Sequence, residues 1–211
     1  MNTIELFSGT KSFSKVAEKL GHKIYTIDNN KELNPDLCIS VFDIQSAYLP
    51  KCDILWTSPP CTAFSVAAIG KNWHKETKEP KTENAQLGID IVNETIKIIA
   101  DKLRINPYLI WFIENPRGML RKLIDSLFIK HGIINYKRNT VTYCQYGDTR
   151  MKPTDIWTNL QSWKSKPICK NGAPCHVAAP RGSRTGTQGL KNAKDRGVIP
   201  EQLFYEIFGE L

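Results

Sequence analysis

Two short stretches carry side chains whose type and setting suit covalent chemistry on a ring. In Thr57-Ser58-Pro59-Pro60-Cys61 a cysteine follows two prolines at the end of an apolar run. The prolines fix φ and remove two backbone donors, so the thiol is presented rigidly, as a nucleophile requires; the competing reading is a small core side chain. In Phe112-Ile113-Glu114-Asn115-Pro116-Arg117 a carboxyl group emerges from an apolar run. Burial there would raise its proton affinity and let Glu114 act as an acid towards a ring nitrogen, unless it only serves the dipole of a following helix. A third stretch, Phe7-Ser8-Gly9-Thr10, has one glycine through which the backbone can approach a ligand, and Asp28 lies nineteen residues beyond it. Asp28 can accept hydrogen bonds from ribose hydroxyls, or the pair is a tight turn with a capping carboxylate. Asp43-Ile44 either contacts a base in the same pocket or forms a turn.

These residues need elements to position them, and strand and helix signals alternate along the chain, the signature of a sheet layered between helices. Thr3 to Phe7 reads as a first strand, Phe13 to Leu20 as a helix with Ser8, Thr10 and Ser12 as N-cap candidates and Gly21 as its stop, and Lys23 to Ile27 as a second strand ending in Asp28. Leu37 to Val41 and Asp53 to Thr57 continue as short strands. Asn84 to Leu103 has helical periodicity, with Leu87, Ile91, Ile98 and Ile99 near one face. Leu109 to Ile113 is a buried strand, Gly118 to Ile129 a helix, Ile133 to Tyr143 a hairpin or paired strands, Asp155 to Thr158 a late edge strand, and Pro200 opens a helix to Phe208. In such a sheet the ligand crevice lies at the strand ends, where the chemistry-bearing residues fall.

Taken together, Glu5-Leu6-Phe7-Ser8-Gly9-Thr10, Ser58-Pro59-Pro60-Cys61-Thr62-Ala63-Phe64-Ser65, Glu114-Asn115-Pro116, and Tyr146-Gly147-Asp148-Thr149-Arg150-Met151-Lys152 with Trp157-Thr158-Asn159 resemble the cytosine-5 DNA methyltransferase family, in the family's order, from residue 3 to about 160. A weaker match follows at Val198-Ile199-Pro200. The resemblance implies an α/β fold of the Rossmann-like class I S-adenosylmethionine-dependent methyltransferase type, a mostly parallel sheet with helices on both faces. It implies S-adenosylmethionine as cofactor, held by Phe7, Ser8, Gly9, Thr10, Asp28, Asn29, Asp43, Ile44 and Pro59. It also implies DNA as partner, with a cytosine flipped from the duplex onto Cys61, Glu114 and Arg150. There Cys61 would add to carbon 6, Glu114 would hold ring nitrogen 3 and the exocyclic amine, and Arg150 would bind the carbonyl oxygen at position 2 with Lys152 close by. Ser65, Lys71, Lys152, Arg181 and Arg184 are the nucleic-acid-binding candidates.

The chain departs from the family pattern in places. Lys11 and Ser12 stand where glycines are usual, and Asp148-Thr149-Arg150-Met151-Lys152 stands for Gln-x-Arg-x-Arg. Pro116 replaces the common valine, and only about residues 162 to 196 remain where the family carries a long target-recognition segment. The expected organisation is a catalytic domain over 1–161, a short basic insert over 162–196 and a closing helix that packs back over 197–211.

Composition fits this reading. The chain has 211 residues, 41% hydrophobic and 24% charged, enough for one well-buried core and unlike disordered or fibrous proteins. A net charge of +8 favours a polyanionic partner, and the excess is local. Residues 62–82 carry four lysines against two glutamates, 117–152 eight basic against two acidic residues, and 162–196 eight basic against one, leaving the rest acidic on balance. The 62–82 loop is placed to close over a flipped base. The apolar stretches are too short to span a bilayer, and a cytoplasmic monomer is expected. Six cysteines read as reduced thiols, not a disulfide framework. Cys169, Cys175 and His176 form a C-x5-C-H cluster that lacks a local fourth ligand, so no metal is assigned. His74-Lys75-Glu76 with Pro60-Cys61 has the parts of a zinc deaminase in reversed order and without the second cysteine, and the Gly-x-Gly-x-x-Gly turn of a dehydrogenase is missing. The alternative from another class is a catalytically idle nucleic-acid-binding scaffold, which has no need of Cys61 and Glu114 together.

Overall fold

The computed structural model describes residues 1–178, 190 and 192–211. Strands β1 (Asn2–Leu6), β2 (Lys23–Asp28), β3 (Leu37–Cys38), β4 (Ile54–Thr57), β5 (Ile110–Pro116), β6 (Lys137–Thr142) and β7 (Pro153–Thr158) form one sheet in the order β3-β2-β1-β4-β5-β7-β6. The pairs from β3 to β5 are parallel, and β7 runs antiparallel to both its neighbours. The helices are α1 (Ser12–Lys19), α2 (Ile69–Asn72), α3 (Glu83–Ile105), α4 (Ile124–Lys130), α5 (Ala193–Gly197) and α6 (Glu201–Phe208).

Alternation along the strands divides the core between two faces. Ile4, Leu6, Leu55, Trp111, Ile113 and Trp157 pack with α3 and α4, whereas Trp56, Phe112, Ile156 and Trp163 pack with Phe13 and Val16 of α1 and Leu203, Phe204 and Ile207 of α6. Phe13 stacks on Trp56 at a centroid distance of 5.3 Å, and Phe204 meets both rings edge-on. A sheet covered on both sides is what near-continuous apolar strands require. The long α3 starts at Thr82, whose hydroxyl accepts from the Ala85 N–H at 3.2 Å, and it buries Ala85, Gly88, Val92, Ile96 and Ile99 at helical spacing.

Several expected elements differ. The third strand is only two residues, because the chain turns at Ser40, whose hydroxyl accepts from the Phe42 N–H. None of Ser8, Thr10 and Ser12 caps α1. The residue before it is Lys11 in a left-handed conformation, and the Glu5 carboxylate of β1 takes the Ser14 N–H at 3.0 Å and the Ser14 hydroxyl instead. The expected helix from Gly118 begins as a 3-10 turn over Met119–Lys122, and α4 follows from Ile124. Ile133 to Tyr143 supplies a single strand, because Gly132 at φ +73° closes α4 and the Ile133 N–H returns to the Phe128 carbonyl at 2.9 Å. Finally, β7 is interior and β6 is the edge. The charged Asp155 is buried in β7 because Arg121 and Thr140 bond its carboxylate at 2.5 to 2.9 Å.

Candidate active site

The strand order reverses between β1 and β4, and two hollows that share Phe7 and Pro60 in their linings open at the carboxyl ends of the strands there. Chain geometry at the first turn is tight. Phe7 at φ 57° and Gly9 at φ 45° are both left-handed, and the Ser8 N–H bonds the Ile27 carbonyl at 3.1 Å. The Asp28 carboxylate accepts from the Gly9 N–H at 3.0 Å and the Asn30 N–H at 2.9 Å. Asp28 therefore does hold the turn together, and it also lines a hollow of about 170 Å³ with Phe7, Asn29, Val41, Ile44 and Ile91. An apolar slot with a carboxylate at its mouth suits a flat heterocycle joined to a diol. Asp43 sits exposed on the adjacent helical turn over Val41–Asp43, outside the lining of this slot. The apolar wall from Ile39, Phe42 and Leu87 was not foreseen. Ile39 lies where a strand was expected to run and Phe42 just past its expected end, and Leu87 reads as a core residue of α3 although it is 48% exposed.

The second hollow, about 610 Å³, is lined by Ser8, Gly9, Thr10, Pro59, Cys61, Glu114 and Lys152, among others. Residues more than fifty positions apart meet in it because β1, β4 and β5 are neighbours in the sheet. The Asn115 amide donates to the Pro59 carbonyl at 2.9 Å and Trp56 Nε1 donates to the Ser58 hydroxyl at 2.9 Å, so the Pro-Pro-Cys segment is held from both flanks. The Phe64 and Ser65 N–H groups close on the Cys61 carbonyl at 3.0 Å. Burial pushes the Cys61 thiol above its ordinary value; Lys152 opposes that shift and Glu114 adds to it. Glu114 is 5% exposed, and the Tyr143 hydroxyl donates to it at 3.0 Å. Burial, followed by the Glu114 charge, raises the Tyr143 hydroxyl well above its usual range, so it stays a donor. The Ser8 hydroxyl and the Asn115 amide oxygen are buried without a partner among the described residues, and Ser8 faces this cleft. An unpartnered hydroxyl beside a left-handed glycine is a fitting wall for a polar ligand.

Arg150 does not take the place expected of it. Its guanidinium forms a fork with Asp148, with Nε at 2.9 Å from both carboxylate oxygens, and it donates to the carbonyls of Asp195, Arg196 and Val198 at 2.7 to 3.1 Å. Every donor of the group is used, and the side chain is outside the cleft lining. Arg150 is a positioning residue that ties the end of α5 to the Gly147–Arg150 turn. Among the cations expected at the site, the one that lines the cleft is Lys152, whose ammonium donates to the Arg196 carbonyl at 3.1 Å and lies 5.0 Å from the Tyr143 ring centroid.

The other sequence candidates are spread around the rim. Ser65 forms a backbone bridge to Gly118, and Lys71 is exposed on α2. Arg181 and Arg184, with Gly182, Gly186 and Gly189, lie outside the described residues. The 62–82 segment is more firmly held than a polar loop suggests: Trp73 is 1% exposed, stacks on Phe64 at 5.7 Å and donates from Nε1 to the Ala63 carbonyl at 2.7 Å. Lys194, Gly197 and Ile199 add an unforeseen side to the cleft, because the chain before α6 folds back against the Ser12 hydroxyl.

No family model and no curated protein matches this sequence. Solved structures do match its fold. An E. coli prophage-encoded protein assigned as a DNA modification methyltransferase aligns with a TM-score of 0.54 at 13% identity, over 80% of this chain and 52% of that one. The Entamoeba histolytica methyltransferase EhMeth aligns with a TM-score of 0.50 at 18% identity over 75% and 52%, and the S. pombe Dnmt2 methyltransferase with 0.50 at 15% over 78% and 52%. The chain thus spans about half the length of each of these structures. At such identity the likeness is one of fold, and the seven-stranded, mostly parallel sheet is the Rossmann-like class I methyltransferase fold.

Proposed function

We propose that this protein transfers a methyl group from S-adenosylmethionine to carbon 5 of a cytosine in DNA, through a covalent adduct of Cys61 with a base flipped out of the duplex. The observation that carries the reading is the convergence of Cys61, Glu114 and Lys152 on one cleft adjoining the slot at Asp28. The slot residues Phe7, Asp28, Asn29 and Ile44, with Ser8, Gly9, Thr10 and Pro59 at the cleft, would hold the cofactor, which when bound supplies an electrophilic methyl group.

The chain's own residues account for the rest of the chemistry. Carbon 5 of cytosine is a weak nucleophile until a thiolate adds at carbon 6. The Cys61 sulfur forms that bond, and Glu114 places a proton on ring nitrogen 3 so that the ring electrons collect at carbon 5 rather than as charge on nitrogen. Lys152 offers positive charge both to the thiolate before addition and to the ring oxygen at position 2 afterwards, the role first given to Arg150. After methylation the carbon 5 proton leaves to water, the carbon–sulfur bond breaks, the thiolate returns and ring nitrogen 3 gives its proton back to the Glu114 carboxylate. Such atoms are out of reach in a stacked duplex, which requires the flip. Lys71, Ser65 and the basic stretch at 162–196 would line the path of the phosphates. We propose the monomer as the working unit. No helix among the described residues is long and apolar enough to cross a membrane.

The test is methyl transfer from labelled S-adenosylmethionine to cytosine-containing duplex, single-stranded DNA and RNA, with Cys61→Ser beside the parent. Label in DNA with the parent and none with Cys61→Ser is the expected result; absence of transfer to all three overturns it. Trapping on 5-fluorocytosine DNA identifies the nucleophile, since a covalent complex retained by Cys61→Ser excludes that residue.

A further inference from the structure

Outside the cleft lining, four side chains that the methyl-transfer reading leaves unused come together. The fourth donor missing from the local C-x5-C-H pattern arrives from the short turn over Tyr143–Tyr146: Cys144, Cys169, Cys175 and His176 place one ligand atom each within 4.8 Å of one another. Cys169 Sγ lies 3.3 Å from Cys175 Sγ and 3.5 Å from His176 Nδ1, and Cys175 Sγ lies 3.7 Å from the same nitrogen. The edges of a tetrahedron built on metal–sulfur bonds of about 2.3 Å and a metal–nitrogen bond of about 2.0 Å come to about 3.5 to 3.8 Å. The sulfurs are well beyond the roughly 2.05 Å of a disulfide. We propose that Cys144, Cys169, Cys175 and His176 bind a zinc ion as a structural Cys3His site.

The chain around the site is shaped for it. Cys169 to His176 form a knuckle in which the Ala173 N–H closes on the Lys170 carbonyl at 3.2 Å and Gly172 takes φ +84°. This brings the two cysteines, six residues apart, and the adjacent imidazole round to one point. The Thr142 hydroxyl accepts from the Cys169 N–H at 2.9 Å, fixing that ligand to the end of β6. Cys144 is buried and Cys175 is exposed, so the ion would sit at the surface with its inner side already walled. Three sulfurs and a nitrogen in tetrahedral array select zinc over the oxygen-seeking divalent ions, and four protein ligands leave no open position for catalysis. Binding displaces the three thiol protons to solvent and leaves the imidazole neutral. The site joins the turn that follows Tyr143, the donor to Glu114, to the segment that runs on to Val177, whose N–H bonds the Thr149 carbonyl at 2.8 Å.

The experiment is elemental analysis of the full chain, expressed with zinc and purified under reducing conditions without chelator, followed by replacement with cobalt. About one zinc per chain is expected, with cobalt giving tetrahedral visible bands and thiolate charge transfer. Cys175→Ser and His176→Ala, both at the surface, should each lose most of the zinc while keeping native near-ultraviolet circular dichroism. Cys38→Ser, an exposed cysteine elsewhere, should keep it. The proposal is overturned if the folded parent binds well below one equivalent, if both surface variants retain zinc and the thiolate–cobalt band, or if peptide mapping of the reduced preparation shows Cys169 and Cys175 joined as a disulfide.

Discussion

At the residue scale the reactivity of Cys61 is a balance between burial, which holds the proton on sulfur, and the Lys152 ammonium, which favours its loss. Lys152→Met removes the favourable charge. The pH profile of Cys61 alkylation by iodoacetamide, followed by peptide mass spectrometry, should move to higher pH in that variant and the rate at pH 8 should fall. Glu5 offers a second titration. Burial lifts its carboxyl from 4.5 to about 7, against the Ser14 hydrogen bonds that lower it. A carboxyl raised on folding binds its proton more tightly in the native state, so its contribution is present below the unfolded value of 4.5 and is lost as pH rises through about 7. The loss is of order 3 kcal/mol across that window. Glu5→Gln keeps an acceptor for Ser14 without the charge, and urea titrations should show its stability advantage growing from pH 4.5 to 7. Arg150 separates structure from chemistry: Arg150→Ala leaves a mostly buried Asp148 without its counter-charge and the Asp195 and Val198 carbonyls without the guanidinium donors, and should cost about 3 kcal/mol in urea unfolding. Cys61 and Glu114 were legible in the sequence because their neighbours are local: two prolines and an apolar strand. Arg150 was not, since the carbonyls that saturate it lie more than forty residues away.

At the element scale the segment after Cys61 is fixed at two points, the buried Trp73 and the seam where Phe64 meets Gly118. A Cβ on Gly118 would stand 2.2 Å from the Phe64 carbonyl oxygen, which itself accepts from the Met119 N–H at 2.8 Å. Gly118→Ala should therefore destabilise by about 1 to 3 kcal/mol. It should also raise proteolysis within residues 66–81 in limited digestion. Strand identity from β1 to β5 was readable because buried parallel strands are runs of apolar residues. The sequence misled at β7, where Pro153 and Asp155 look like an exposed edge. Pro153 occupies the first strand position, where no ladder donor is needed, and Asp155 is neutralised by an arginine from another element. Capping of α1 by Glu5 was hidden for the same reason: the partner comes from the preceding strand and not from the first turn.

At the scale of the whole molecule charge is unevenly distributed along the chain. The slot and the first strands belong to the acidic part of the sequence, while the basic stretches follow Cys61, Pro116 and Asn159 and contribute Lys152 and Lys194 to the cleft lining. Affinity for DNA should fall linearly in log–log form with salt. Lys71→Ala should weaken binding to unrelated sequences alike and lower that slope by about 1 in fluorescence anisotropy.

The single reversed strand sets how the chain travels afterwards. Because β7 pairs Thr154 with Pro116 and Thr158 with Phe112, it starts at the cleft and ends at the opposite rim of the sheet. The chain must come back past the buried Trp163 before Val177 reaches Thr149, and after residue 191 it is gripped again by Arg150 through the carbonyls of Asp195, Arg196 and Val198. The departure and the return are thus pinned to consecutive residues, Thr149 and Arg150. A stretch whose two ends are fastened side by side can grow at little cost, since closing a loop twice as long adds only about 0.6 kcal/mol. Length added between the anchors at Val177 and Asp195 therefore leaves the sheet as it is.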